Sequence, residues 1–166
     1  MIDPRQFRDD VVQPTLAAMD MGGAAPENLL MGTAAVESGL RYLRQLHEGP
    51  AVGLFQMEPE TARDIVQRYL LNRDEIDTRF QRAFQLINTG EIDWQDVAIA
   101  DVRLKLLSDL RFATAMCRLR YWMVPEPLPA ADDIEGLGRY WKQHYNTPQG
   151  AGTPEKFVAA YRNLIG

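Results

Sequence analysis

The chain has 166 residues, a net charge of −5 and a pI near 5.0, with 46% hydrophobic and 25% charged residues. That length fits a single domain, 1–166, with a core of its own. The acidic balance argues against nucleic acid as the main partner, because phosphate binding wants clustered Lys and Arg, and against passive adhesion to an anionic wall or membrane.

Residues 1–10 are polar and lack the apolar stretch of a signal peptide, and no apolar run reaches the roughly 18 residues of a membrane span. The expectation is a chain made in the cytoplasm without membrane insertion, so that action outside the inner membrane requires delivery by something else.

Helices dominate the pattern. Asp3 is placed to cap a helix with Pro4 at its first position; Phe7, Val11, Val12 and Leu16 follow, and Pro14 kinks or shortens it. Gly22-Gly23 breaks the chain, and Pro26 opens a second helix to about Ser38. Leu29, Leu30, Thr33 and Glu37 share one of its faces, and Gly39 ends it. The least helical stretch is 45–57, with a Gly49-Pro50 turn and an extended 51–57. Pro59 opens a third helix that turns Ala62, Ile65, Val66, Tyr69 and Leu70 inward. Further helices are expected near 74–88 and 94–123, the latter with a break near Ser108-Asp109. Pro125, Pro127 and Pro129 make a stiff connector. Asp132 or Asp133 starts a helix to about Tyr145. Thr153-Pro154-Glu155 starts the last one, which buries Phe157, Val158, Tyr161, Leu164 and Ile165. The fold class is mainly α, with at most a small β-hairpin or sheet near 45–57.

Cys117 is the sole cysteine, so no internal disulfide exists; among Ala113, Met116 and Leu119 it reads as a buried, inert thiol. With His47 and His144 the only histidines, a zinc site is not expected, and no cofactor or metal is implied. Arg103, Lys105, Arg111, Arg118 and Arg120 read as the solvated face of a helix. Trp94, Trp122 and Trp141 read as core, with sugar stacking as the alternative.

Glu37 carries the chemistry. On the apolar stripe of its helix, desolvation favours the neutral acid and raises its pKa, which suits a carboxyl that protonates a leaving oxygen. The competing reading is a helix-end Glu bonded to nearby backbone or Arg41.

Glu37-Ser38-Gly39, then Gly53-Leu54-Phe55-Gln56-Met57, then Pro59-Glu60-Thr61-Ala62, resembles the lysozyme-like soluble lytic transglycosylase family. That family has a catalytic Glu followed by Ser, a Gly-Leu-Met-Gln segment and a Pro-x-Thr-Ala helix start. A second block, His144-Tyr145-Asn146 with Gly150 and Gly152, is similar to its Ala-Tyr-Asn-Ala-Gly segment. The resemblance covers about 30–65 and 140–162. It implies a lysozyme-like fold, Glu37 as catalytic acid/base, Gln56 as the cleft amide that binds the sugar strand, and Tyr145 and Asn146 beside the acid. Ser38 either positions substrate or caps the helix end. The chain departs from the pattern in four places: the loop 41–48, Phe55 in place of Met, a longer and strongly charged stretch between the two blocks, and Thr147-Pro148 after Asn146.

The implied reaction is cleavage of the β-1,4 bond between N-acetylmuramic acid and N-acetylglucosamine in a peptidoglycan glycan strand, forming 1,6-anhydromuramic ends with one carboxyl. An inverting muramidase needs a second carboxylate, for which Glu48, Glu58, Glu60 and Asp64 are candidates by proximity. A non-catalytic glycan-binding or assembly module is the third reading. The polar N-terminus points to a phage virion or secretion-machine component that reaches the periplasmic or extracellular wall.

Overall fold

The computed structural model describes residues 1–45, 49–71, 78–88, 92–146 and 150–166, and in them the chain is mainly helical. Asp3 accepts hydrogen bonds from the backbone N–H groups of Arg5 and Gln6, and Pro4 opens α1 (Pro4–Phe7). A π-helical turn, Arg8–Val12, leads into α2 (Gln13–Ala18). Pro14 has no N–H to give to the carbonyl four residues back, and the widened turn just before it accommodates that loss without ending the helix.

The organising element is α3 (Ala24–Ser38), in which every residue from Leu29 to Ala35 is buried. Small side chains let neighbours approach closely. At Gly32 the Phe157 ring of α9 (Pro154–Leu164) lies where a Cβ would stand, 2.2 Å from the nearest ring atom. Thr33 Oγ1 donates to Leu29 O at 2.7 Å and lies 2.7 Å from Tyr121 Oη. Having spent its only hydrogen on the carbonyl, Thr33 must accept from Tyr121. This buried pair fixes α7 (Leu110–Trp122) against α3 one turn below Glu37.

After α3 the chain turns through two left-handed residues, Gly39 (φ 59°) and Leu40 (φ 51°), with Leu40 O accepting from Ile2 N at 2.9 Å. The extended segment near 45–57 has no sheet among the described residues. Isolated antiparallel bridges join Arg44 to Val52 and Val52 to Met57. Four turn residues, Gly53 to Gln56, close the second bridge. Then come α4 (Pro59–Ile65), a π turn at Val66–Leu70 and α5 (Thr78–Ile87); the expected residues 74–77 of α5 lie outside the described residues.

The long helix expected over 94–123 is shorter and divided. Residues 94–98 are turn and coil, α6 is Ile99–Ser108, and Asp109 accepts from Phe112 N at 2.9 Å to restart the chain as α7. The basic stretch is a solvated face only in part: Arg111 is exposed, and Arg103, Lys105 and Arg120 are half-buried. Arg118 is buried, its Nε donating to Met21 O at 3.0 Å and its guanidinium lying 5.0 Å from the Trp122 ring centre. The reason is that α7 is buried from Phe112 to Leu119, so its basic residues cannot all face water. Desolvation lowers the Arg118 pKa to about 10.

Asp133 caps α8 (Ile134–Trp141), which passes into a π turn, Lys142–Asn146. Thr153 caps α9. The buried apolar side chains form one cluster around α3 and α7, including Trp94 stacked on Phe112 at 5.6 Å between ring centres. Cys117 is inside this cluster, and burial pushes its thiol well above the usual range.

Gly53 tests the turn that carries Gln56. Its φ is +75°, and a Cβ there would meet Leu106 O at 2.4 Å. Gly39 shares the left-handed φ, but nothing lies within 4 Å of its would-be Cβ. Urea unfolding is expected to cost Gly53→Ala about 2–4 kcal/mol, strain and clash combined, against about 1 kcal/mol for Gly39→Ala. Equal losses would mean the Leu106 contact is easily relieved.

Candidate active site

The C-terminal turn of α3 delivers Glu37 to a cleft of about 490 Å³ whose lining includes Gln56 and Glu58 from the 53–58 segment, Arg120 from α7, and Tyr145, Asn146, Gly150 and Gly152. A second lobe of about 420 Å³ adjoins it, sharing Glu37, Gln45, Gln56, Asn146 and Gly152 and adding Tyr42, Arg44, Trp141 and Lys156. Glu37 stands where the two lobes meet.

Glu37 is largely removed from water, and among the described residues one donor reaches its carboxyl. Trp141 Nε1 donates to Glu37 Oε1 at 3.0 Å. Burial raises the Glu37 pKa from 4.5 to about 7, and the indole N–H, which favours the ionised form, offsets only part of that rise. With Oε1 accepting from the indole, Oε2 is the oxygen left to hold the proton of the neutral acid. Arg41 does not pair with Glu37: its guanidinium lies 6.0 Å from the Tyr42 ring centre on the exposed loop.

The Gly53–Gln56 turn forms one wall. Val52 and Met57 exchange backbone hydrogen bonds of 3.0 and 3.1 Å, closing the turn. Gln56 adopts a left-handed φ of 45° and its Nε2 donates to Gly53 O at 2.8 Å, so the amide is held by its own turn at the cleft surface. The opposite wall is the Lys142–Asn146 π turn. Tyr145 Oη donates across to Phe55 O at 2.9 Å, tying the two walls together. Its ring packs on Tyr121 at 5.3 Å, and burial drives the phenol well above its ordinary pKa, so it acts as a neutral hydroxyl. Asn146 Oδ1 accepts from Lys142 Nζ at 3.0 Å and from Gly152 N at 3.2 Å, which leaves its amide N–H groups to offer to a ligand. At Gly152 a Cβ would stand 2.3 Å from Trp141 Cη2, so only glycine lets the 150–152 segment close over the indole.

Glu37, Gln56, Tyr145 and Asn146 are therefore brought together. Ser38 is not among the lining residues; it is buried and donates to Ala34 O at 3.0 Å. Among the other carboxylates, Glu58 lines the cleft. Glu60 pairs with Arg63 at 3.0 Å and Asp64 with Arg68 at 3.2 Å, both on the surface. Glu48, His47 and Thr147-Pro148 lie outside the described residues. Two residues have a part in the site that the sequence reading did not give them. Trp141 is core, yet its N–H addresses the acid; the signal was an indole one turn before Tyr145 on a helix already assigned to the site. Arg120 lines the cleft although it belongs to the supposed solvated face. No His, Cys, Asp or Glu cluster among the described residues suits a metal ion.

A buried acid with a raised pKa makes stability depend on pH. The native state holds the Glu37 proton more tightly than the unfolded chain, so this contribution is fully present below pH 4.5 and is lost as pH rises through about 7. Glu37→Gln, which keeps an acceptor for Trp141, is expected to stabilise the protein by about 2–3 kcal/mol at pH 8 and by little at pH 4, read from thermal melts at both values. Trp141→Phe removes the donor that favours the carboxylate, so the Glu37 titration midpoint, followed by carbon-13 NMR of the side-chain carboxyl, should move above the wild-type value. A downward move would mean that the lost packing admits water to the acid.

No protein-family model, curated protein or solved structure matches the chain.

Proposed function

We propose that the chain is a peptidoglycan-cleaving enzyme with a lysozyme-like architecture that acts on the β-1,4 bond between N-acetylmuramic acid and N-acetylglucosamine as a lytic transglycosylase. The observation that carries this reading is the buried Glu37, its pKa raised to about 7, at the junction of two cleft lobes, with Gln56, Tyr145 and Asn146 around it. An extended cleft with an acid at its midpoint suits a polymer bound on both sides of the cleaved bond. The motif resemblance supplies the sugar identities.

In this reading Glu37 Oε2 gives its proton to the glycosidic oxygen as the C1–O4 bond breaks. The resulting carboxylate takes the proton of the muramic C6 hydroxyl while O6 bonds to C1. The acid ends as it began, no water is consumed, and the product carries a 1,6-anhydro ring. A pKa of about 7 serves both halves of the cycle, because the group is a ready donor and a competent acceptor near neutrality. The Asn146 amide offers donors, and the neutral Tyr145 hydroxyl, its hydrogen given to Phe55 O, offers an acceptor, without adding charge beside the developing cation.

Glu58 favours a second reading, since it lines the same cleft as Glu37. As a carboxylate it would activate water and make the enzyme an inverting muramidase.

Mass spectrometry of fragments released from purified peptidoglycan separates these. The expected products carry anhydromuramic ends, and Glu37→Gln lowers their rate of formation by at least about 10³-fold while the protein stays folded. The rate should fall as pH rises through about 7, with the ionisation of Glu37. Hydrated reducing ends, lost in Glu58→Gln, would establish the muramidase instead. No release by folded wild type would reject both.

A further inference from the structure

The loop that follows Glu37 departs from the family pattern, and the chemistry above makes no use of it. Three of its residues, Tyr42, Arg44 and Gln45, line the second lobe of the cleft. Two cations, Arg44 and Lys156, face that lobe, and Glu37 is its one carboxyl among the described residues. The first lobe has the reverse balance, with Glu37 and Glu58 against Arg120. In a chain of net charge −5 this gathering of positive charge on one side of the acid runs against the overall composition.

The two cations come from different parts of the chain and converge. Arg44 is held by its backbone bridge to Val52, reinforced by Gly53 N donating to Leu43 O at 3.0 Å. Lys156 rises from the first turn of α9, where its Nζ donates to Ala151 O at 3.3 Å and keeps further N–H donors. Among the described residues neither is paired with a carboxylate. Tyr42 is 41% exposed and offers a ring face at the rim of the same lobe. Burial raises the pKa of the adjacent Glu37 to about 7, so it is ionised only in part near neutrality and repels an anion held there less than an ordinary carboxylate would.

We infer that this lobe binds a carboxylate borne on a branch of the glycan strand next to the bond that Glu37 cleaves, with Arg44 and Lys156 as its receptors and Tyr42 as the apolar wall. This rests on the reading of Glu37 as a glycan-cleaving acid. Two sources share the chemistry, the lactyl carboxylate of muramic acid itself and the carboxylates of the stem peptide attached to it. Either makes the chain selective for substituted strands over plain N-acetylglucosamine polymers.

The test uses the full chain carrying Glu37→Gln, which binds without cutting, and titration calorimetry with three ligands. These are an N-acetylglucosamine oligomer, a peptide-free alternating strand with free lactyl carboxylates, and a peptide-bearing strand. Expected is about tenfold tighter binding of at least one carboxylate ligand than of the neutral oligomer, an advantage that shrinks with added salt. In the same background, Arg44→Gln with Lys156→Gln brings the ratio close to one; both side chains are exposed, and circular dichroism checks that the fold persists. Tightening confined to the peptide-free strand, whose lactyl carboxyl is not amide-bonded to a stem, supports the proposal with the lactyl group as source; tightening confined to the peptide-bearing strand supports it with the stem as source, and tightening with both supports it with either carboxylate. Equal affinities for all three, or an advantage that survives the double substitution, overturns the proposal and leaves glycan recognition standing. Absence of binding to any of the three overturns both.

Discussion

The hydrogen bond from Trp141 Nε1 to Glu37 Oε1 joins a neutral donor to a buried acid, and the arrangement of the molecule follows from what that requires. A carboxyl removed from water with a cation beside it would ionise and its pKa would fall; one with no donor at all would leave a buried oxygen unsatisfied. An indole N–H occupies the middle ground, orienting the group while leaving it protonated up to about pH 7. Holding it there takes a helix that is buried along its length, so that its last turn emerges inside the protein and not at the surface. Gly32, under the Phe157 ring, and Thr33, bonded to Tyr121, are how α3 reaches that depth with neighbours on every side.

The cleft is built from segments far apart in the chain that are cross-linked by single polar contacts. Tyr145 reaches the Phe55 carbonyl from one wall to the other, and Asn146 ties the π turn to Gly152. The segments that meet here are irregular in distinct ways: a left-handed Gln56, a π turn at Lys142–Asn146, and glycines that admit close backbone approach. Irregular backbone of this kind is costly and persists when the surroundings over-determine it. Here the surroundings are α3, α7 and α8, whose packed faces leave the turns little freedom.

Much of this was legible in the residues. Capping signals at Asp3, Asp133 and Thr153 marked helix starts that the structure keeps, and the break near Ser108-Asp109 fell where Asp109 caps α7. The grouping of Glu37 with Gln56, Tyr145 and Asn146 was what the family resemblance of their motifs implied, and the four share the lining of one cleft. What escaped was decided by tertiary burial. Charge alone suggested a solvated face for Arg118 and Arg120, whereas α7 is enclosed and each side chain finds a separate environment. Ser38 looked like a site residue because it follows Glu37, yet one helical step of about 100° turns it into the core, where it bonds Ala34. Trp141 was correctly taken as core, but apolar patterning does not say where an indole N–H points.

Gly152 gives the acid a mechanical dependence on the loop above it. The Trp141 ring sits where a Cβ on residue 152 would have to be, so the indole is confined between α3 and the 150–152 backbone. That backbone also lines both lobes of the cleft. Any ligand lying in the cleft and pressing on residues 150–152 therefore presses on the indole, and any tilt of the N–H away from Oε1 makes Glu37 a weaker acid and a stronger base. Occupancy of the groove and affinity for the proton become two readings of one displacement.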